Sequence, residues 1–433
     1  MQASLLAAAA KKVSPLLGGL STDAKNAALT EIRAALLAGA ERINAANAAD
    51  LAAAEKAALD LPLRKRLAFN ETKLREVCAG IDSLITLADP VGRVLSAREL
   101  DAGLRLYQVS CPIGVIGVIF ESRPDALAQI STLCLKSGNA VILKGGSEAA
   151  ATNRVLFEII AEASSRAGLP HGWISLLETR EDVAQLLDLS GDVDLIIPRG
   201  SNEFVRHIMK NSLIPVMGHA DGVCHIYVDK DADPAMTERI VIDAKTQYVA
   251  VCNAVETLLV HAACARAVLP RLAAALAAKG VEIRGCRRTQ EIISCKPAAE
   301  EDWAAEYLDL ILAVKIVDSC EEAITHINAW GSRHTDAIIS ADEKTASLFM
   351  ERVDSADVFW NASTRFADGY RYGLGAEVGI STAKIHARGP VGLEGLVTYK
   401  WRLYGSGHIA ADYAGGEKTF THKDIPPRLP PAG

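Results

Sequence analysis

The chain has 433 residues, half of them apolar, only 5% aromatic, and a formal charge of −7. That length predicts two or three domains with a large interior of small aliphatic side chains, and the composition excludes wholesale disorder. The acidic balance argues against a broad nucleic-acid footprint, and no apolar run reaches the ~18–20 residues of a membrane span.

In chain order, the first stretch (to about residue 80) is alanine-rich and mixed with charge, as in Asp50-Leu-Ala-Ala-Ala-Glu-Lys-Ala-Ala-Leu59. It predicts several packed helices, and its beginning reads as an ordinary helix rather than a signal peptide. After Pro90 the texture changes. Apolar strands predicted over 112–120, 140–143, 174–177 and 193–197 alternate with helices over 125–137, 147–167, 181–189 and 201–211. A second series begins at Cys224, with strands over 224–229, 256–261, 310–317, 337–340 and 358–361. Its helices are predicted over 233–247, 264–279, 321–328 and 343–352. Short, fully apolar strands between helices predict parallel sheets covered on both faces, hence an α/β fold of two doubly wound domains with a cleft between them. Residues 104–110 and the tail from 396 look extended and partly polar, suited to pairing as a projecting arm. Only 426–433 reads as disordered.

Nine cysteines are scattered without a C-x-x-C pair. Neither a disulfide framework nor a zinc site is suggested, and free thiols point to a reducing, cytoplasmic compartment. Most sit in helical or strand patterns, where cysteine acts as a small core residue. Cys252, in Val251-Cys-Asn-Ala-Val-Glu256, falls between a helix and a strand, the setting a reactive thiolate needs. Two turns join strands to helices: Lys144-Gly-Gly-Ser-Glu148 and Arg199-Gly-Ser-Asn-Glu203. Glycines there let backbone approach a ligand, and Ser147 is placed to cap a helix whose N-terminus favours anions. Each turn is also compatible with an ordinary connection; together, at the carboxyl ends of neighbouring strands, they suggest a dinucleotide crevice.

Seven strings, in order along nearly the whole chain, carry a resemblance. They are Cys111-Pro-Ile-Gly-Val-Ile-Gly-Val-Ile-Phe-Glu-Ser-Arg-Pro124, Ser137-Gly-Asn-Ala-Val-Ile-Leu-Lys-Gly-Gly-Ser-Glu148, Ile197-Pro-Arg-Gly-Ser-Asn-Glu203 and Gly218-His-Ala-Asp-Gly-Val-Cys-His225. The others are Cys252-Asn-Ala-Val-Glu-Thr-Leu-Leu-Val-His261, Gly373-Leu-Gly-Ala-Glu-Val-Gly-Ile-Ser-Thr382 and Ala387-Arg-Gly-Pro-Val-Gly-Leu-Glu-Gly-Leu396. The sequence resembles the γ-glutamyl phosphate reductases (glutamate-5-semialdehyde dehydrogenases), a phosphorylating branch of the aldehyde dehydrogenase superfamily.

The resemblance implies an aldehyde dehydrogenase-like fold: helices plus an NADP-binding domain (1–97 and 111–223), a catalytic domain with Cys252 (224–395), an oligomerisation arm (98–110 and 396–425) and a tail. It implies attack of Cys252 on L-glutamyl 5-phosphate, expulsion of phosphate, and reduction of the thioester by NADPH to L-glutamate 5-semialdehyde, in proline biosynthesis. The Cys252 backbone N–H and the Asn253 region are the oxyanion candidates. Arg123, Arg365 and His219 are candidates for the substrate. Lys144, Ser147, Gly200, Ser201 and Glu306 are the cofactor candidates, Glu306 by likeness to the glutamate that contacts the nicotinamide ribose. Ser147 stands where NAD-preferring relatives carry a glutamate, which favours NADP.

The stretch Gly218–Gly222 lacks the glutamate with which hydrolytic relatives activate water. Phe120-Glu-Ser-Arg-Pro124 replaces their Pro-Trp-Asn-Phe-Pro-like string, which places Arg123 in the cleft region. A homo-oligomer (dimer or tetramer) is expected. No fused kinase domain is expected, so a separate glutamate 5-kinase would supply the substrate. A hydrolytic aldehyde dehydrogenase and a non-catalytic scaffold with this fold are the rival readings.

Overall fold

The computed structural model describes residues 2–59 and 61–430. Its first part is helical: α1 (Gln2–Gly18), α2 (Thr22–Ala38), α3 (Ala40–Lys56), α4 (Leu61–Leu67) and α5 (Glu71–Thr86). Alanine and leucine favour helix, and side chains three, four and seven apart fall on one face, as with buried Ala3, Ala7, Ala10 and Leu17 of α1. A hairpin follows, β1 (Val94–Asp101) and β2 (Leu104–Pro112).

The next four strands form a parallel sheet: β3 (Val115–Phe120), β4 (Ala140–Lys144), β5 (Ile174–Leu177) and β6 (Leu195–Arg199), in the order β5-β4-β3-β6. β3 and β4 are buried throughout, as expected for strands covered on both faces. The connecting helices are α6 (Pro124–Lys136), α7 (Ala150–Arg166) and α8 (Arg180–Asp188), and α9 (Asn202–Asn211) leaves β6. The chain builds outward from β3 through β4 to β5, then returns to place β6 on the other side of β3. That reversal opens a crevice at the carboxyl ends of β3 and β6, where open α/β sheets bind ligands. The two glycine turns therefore do not leave neighbouring strands, because β3 lies between β4 and β6.

The second sheet holds seven parallel strands in the order β10-β9-β11-β8-β7-β12-β13. They are β7 (Cys224–Val228), β8 (Val255–His261), β9 (Glu282–Gly285), β10 (Lys296–Pro297), β11 (Ile311–Val317), β12 (Thr335–Ile339) and β13 (Asp357–Trp360). The helices α10 (Pro234–Thr246) and α11 (Ala262–Ala277) pack on one face with Val241, Ala244, Val268 and Leu272 in its core. Helices over Cys320–Trp330 and Glu343–Arg352 pack on Tyr227, Leu259 and Ile338.

A short ladder, β14 (Gly379–Ser381) with β15 (Gly389–Val391), precedes β16 (Val397–Tyr404), which pairs antiparallel with β2 along its whole length. The extended segments near 104 and 396 thus join, and β17 (Lys423–Asp424) closes the other edge of the order β16-β2-β1-β17. Among the strands that escape the sequence reading, β1 and β9 are each interrupted by charge (Arg98, Glu99 and Asp101; Glu282 and Arg284) that hides the β pattern, while β10, β14 and β15 are only two or three residues long. The tail is also less loose than expected up to residue 430, since Leu429 packs against Ala97, Tyr107 and Val109. Residues 431–433 lie outside the described residues. Among the described residues, no helix is long and apolar enough to cross a membrane.

Candidate active site

A cavity of about 550 Å³ is lined from both large sheets, by Glu121–Arg123 and Arg199–Asn202 from the first and by Cys252, Asn253 and Glu306 from the second. The first sheet offers its carboxyl edge, the ends of β3 and β6. The second offers its amino edge, the loops that enter its strands. Glu306 precedes β11, Cys252 precedes β8, Gly222 precedes β7, His334 precedes β12, and Asp357 begins β13; these strands lie side by side in that order.

Cys252 is held closely. A Cβ on Gly222 would lie 2.5 Å from Cys252 Cα, so only glycine lets the two backbones meet there. The Cys224 thiol donates to the Cys252 carbonyl at 3.2 Å, giving this buried residue a role beyond packing. The Cys252 Sγ lies 3.2 Å from Nε2 of buried His334. Nδ1 of the same ring lies 2.8 Å from the Thr335 hydroxyl. Burial pushes the Asp357 carboxyl up, while hydrogen bonds from Tyr372 and Thr335 hold it down. With the ring proton on Nδ1, Thr335 accepts it and the Nε2 lone pair faces the thiol.

Burial pushes the Cys252 thiol up to about 12, reinforced by Glu306 and Glu377 and opposed by Arg199. His334 is driven well below its usual range by burial and by the neighbouring His219. The resting pair is therefore neutral thiol and neutral imidazole.

Arginines line the cavity that holds this thiol. Arg199, at the end of β6, has an Nε sealed from solvent without a partner. Arg123 opens α6, lines the cavity and belongs to no ion pair among the described residues. Arg365 is buried rather than solvated, and its Nε donates to Gln247 Oε1 at 3.0 Å. Asn253 also lines the cavity, but its amide donates to the Ala367 carbonyl at 2.7 Å and so secures the loop instead of pointing a free donor at a substrate.

The two glycine turns differ. Gly200 and Ser201 line the cavity, and Ser201 caps α9 through Phe204 N–H. The Ser201 N–H donates to the Glu121 carboxylate at 2.9 Å, and a Cβ on Gly200 would sit 2.8 Å from the Phe204 ring. This cradle already accepts an anion from the chain itself, which fits the pyrophosphate of a dinucleotide. Asp221, beside it, accepts from Asn202 Nδ2 and Arg206. Glu306 accepts from the same Asn202 amide.

Lys144 and Ser147 stand apart from the cavity lining, at the end of β4. Ser147 caps no long helix: it starts a single 3-10 turn, Ser147–Ala149, ahead of α7. The first turn of α7 is capped instead by Asp50 of α3, which accepts from Thr152 N–H at 2.8 Å and from the Thr152 hydroxyl at 2.6 Å. Glu148 accepts from both the N–H and the hydroxyl of Ser122, at 2.6 and 2.8 Å. Ser147 itself remains exposed.

His219 lines the cavity, and its ring meets that of His334 edge to face at 4.8 Å. Reading the sequence left His334, Arg199 and Glu377 without roles. Arg199 and Glu377 lay inside quoted strings. His334 has a weaker signal, a polar His-Thr-Asp trio leading directly into the apolar Ala337-Ile-Ile.

The aldehyde dehydrogenase family model matches residues 9–286. A γ-glutamyl phosphate reductase of Pelotomaculum thermopropionicum is 62% identical over 425 residues, 98% of either chain. The γ-glutamyl phosphate reductase 1 of Synechocystis is 56% identical over 97% of each. The crystal structure of γ-glutamyl phosphate reductase from Thermotoga maritima superposes with a TM-score of 0.93 at 38% identity, covering 94% of this chain and all of that one. This chain belongs to the γ-glutamyl phosphate reductase family, oxidoreductases with the aldehyde dehydrogenase fold.

Proposed function

We propose that the chain reduces L-glutamyl 5-phosphate to L-glutamate 5-semialdehyde with NADPH, through a thioester on Cys252. The observation that carries this reading is the Cys252–His334 contact facing several arginines across the cavity. The thiol attacks the acyl carbon while His334 Nε2 takes its proton; the tetrahedral adduct collapses, and the departing phosphate receives that proton. Arg123, Arg199 and Arg365 suit the two anionic ends of the substrate, the acyl phosphate and the α-carboxylate. The Cys252 backbone N–H stands as oxyanion donor. With Asn253 tied to Ala367, its amide serves to hold the loop.

The Gly200–Ser201 turn is suited to the cofactor's pyrophosphate and Glu306 to its nicotinamide ribose. Lys144 and exposed Ser147 are suited to the adenosine end, where a hydroxyl tolerates a 2′-phosphate that a glutamate would repel. Bound there, NADPH would supply a hydride to the thioester carbon; the aldehyde departs and leaves Cys252 as a thiolate, which regains a proton from solvent.

The activity belongs to proline biosynthesis in the cytoplasm, with a separate glutamate 5-kinase making the substrate. The exposed face of edge strand β16, with Tyr399, Trp401 and Leu403 alternating along it, supports an oligomerisation arm. Oxidation of glutamate semialdehyde by NADP⁺ tests the chemistry in reverse. Turnover should require phosphate or arsenate; undiminished turnover without either would favour the hydrolytic alternative and overturn this reading.

A further inference from the structure

Three soft donors meet at the cavity wall: Cys252 Sγ and one ring nitrogen each of His219 and His334, all within 4.8 Å of one another. They come from three separate loops, so no sequence spacing announces them. Each ring is fixed from behind. His219 Nδ1–H donates to the Ile380 carbonyl at 2.9 Å, and His334 Nδ1 is engaged by Thr335, which leaves Nε2 of each ring as the nitrogen available to a metal, that of His334 already against the Cys252 thiol. A metal-binding histidine needs this arrangement, one nitrogen anchored by an oxygen and the other free.

We propose that Cys252, His219 and His334 form a three-ligand site for a soft divalent cation such as Zn²⁺, with the fourth position open to the cavity. Zinc–sulfur and zinc–nitrogen bonds of about 2.3 and 2.0 Å set tetrahedral donors about 3.5 Å apart. Cys252 Sγ and His334 Nε2 already stand 3.2 Å apart, so closure asks only that His219 approach by about 1 Å. On binding, the S–H bond breaks, a sulfur–metal bond forms, and one proton is released to solvent. The bound cation then blocks acylation, a consequence that rests on Cys252 being the nucleophile proposed above; the site itself does not depend on that role.

The test is anaerobic titration of the metal-stripped full chain with Co²⁺, read by thiolate-to-cobalt charge-transfer absorption. The band should saturate at one metal per chain, disappear on adding Zn²⁺, be absent in Cys252→Ser, and require at least about tenfold more Co²⁺ in His219→Ala. In the unmodified chain, Zn²⁺ should protect Cys252 from iodoacetamide, a readout that needs no variant to fold. Absence of the band, its persistence in Cys252→Ser, or unprotected alkylation would overturn the site. Turnover is measured separately: a chain that binds metal through Cys252 yet turns over normally as Cys252→Ser keeps the site and loses the proposed nucleophile.

Discussion

The two parallel sheets contribute to one cavity by opposite edges. The first offers the carboxyl ends of β3 and β6, where a strand gives way to a helix N-terminus with backbone N–H groups and positive dipole. The second offers the amino ends of β7, β8, β11 and β12, where side chains project from loops entering the strands. The first edge suits phosphate binding by backbone; the second suits bond making by thiol and imidazole. Division of labour here follows strand direction.

Four substitutions probe this contrast, ordered by expected effect. Cys252→Ala on the amino edge should lower turnover at least about 10³-fold while NADPH binding, followed by fluorescence, stays near that of the parent. Loss of cofactor binding would mean the two edges are not separable. His334→Gln should slow thioester formation about 10²-fold, measured in single turnover. The ligand-free thiol should meanwhile behave as a weak acid. Since the Cys252 pKa is raised to about 12, the proton is held at neutral pH, and the alkylation rate should climb through the alkaline range. A plateau near neutrality would contradict the neutral pair.

On the carboxyl edge, Gly200→Ala would drive a methyl group against Phe204 and the Glu121 carboxylate. The KM for NADPH should rise about tenfold with a smaller change in kcat; the reverse pattern would move this turn from cofactor to chemistry. Ser147→Glu should shift preference from NADPH toward NADH by about fivefold, the scale of one exposed like-charge contact. An unchanged ratio would take the adenosine end away from Ser147.

What was legible in the sequence divides along the same line. Apolar strands between helices gave both parallel sheets, because a strand buried on both faces must be apolar at every position. The turn at Gly200 was legible as a strand-to-helix junction, but its composition did not distinguish it from the turn at Gly145, and only the structure puts it on the cavity. Ser147 misled as a helix cap. Asp50 takes that duty from about a hundred positions upstream, and no local pattern reports a cap supplied by another helix. Cys252 was identified through the family resemblance, since the cysteines alone did not distinguish it. His334 was missed because loops entering strands carry no periodic signal, and its contact with Cys252 spans 82 positions. β1 and β9 were hidden by charge, each lying one strand in from its sheet's edge with few fully buried positions, so that pairing rather than burial makes the strand.

Whether Cys252 carries the acyl group is read from mass spectrometry of the Cys252 peptide. Glutamate semialdehyde and NADP⁺ are given to the enzyme without phosphate, and the reaction is quenched in acid. A glutamyl group on Cys252 that disappears when phosphate is added before the quench is the predicted result. An unmodified Cys252 in enzyme that has formed NADPH, or an acyl group on another residue, would contradict the account.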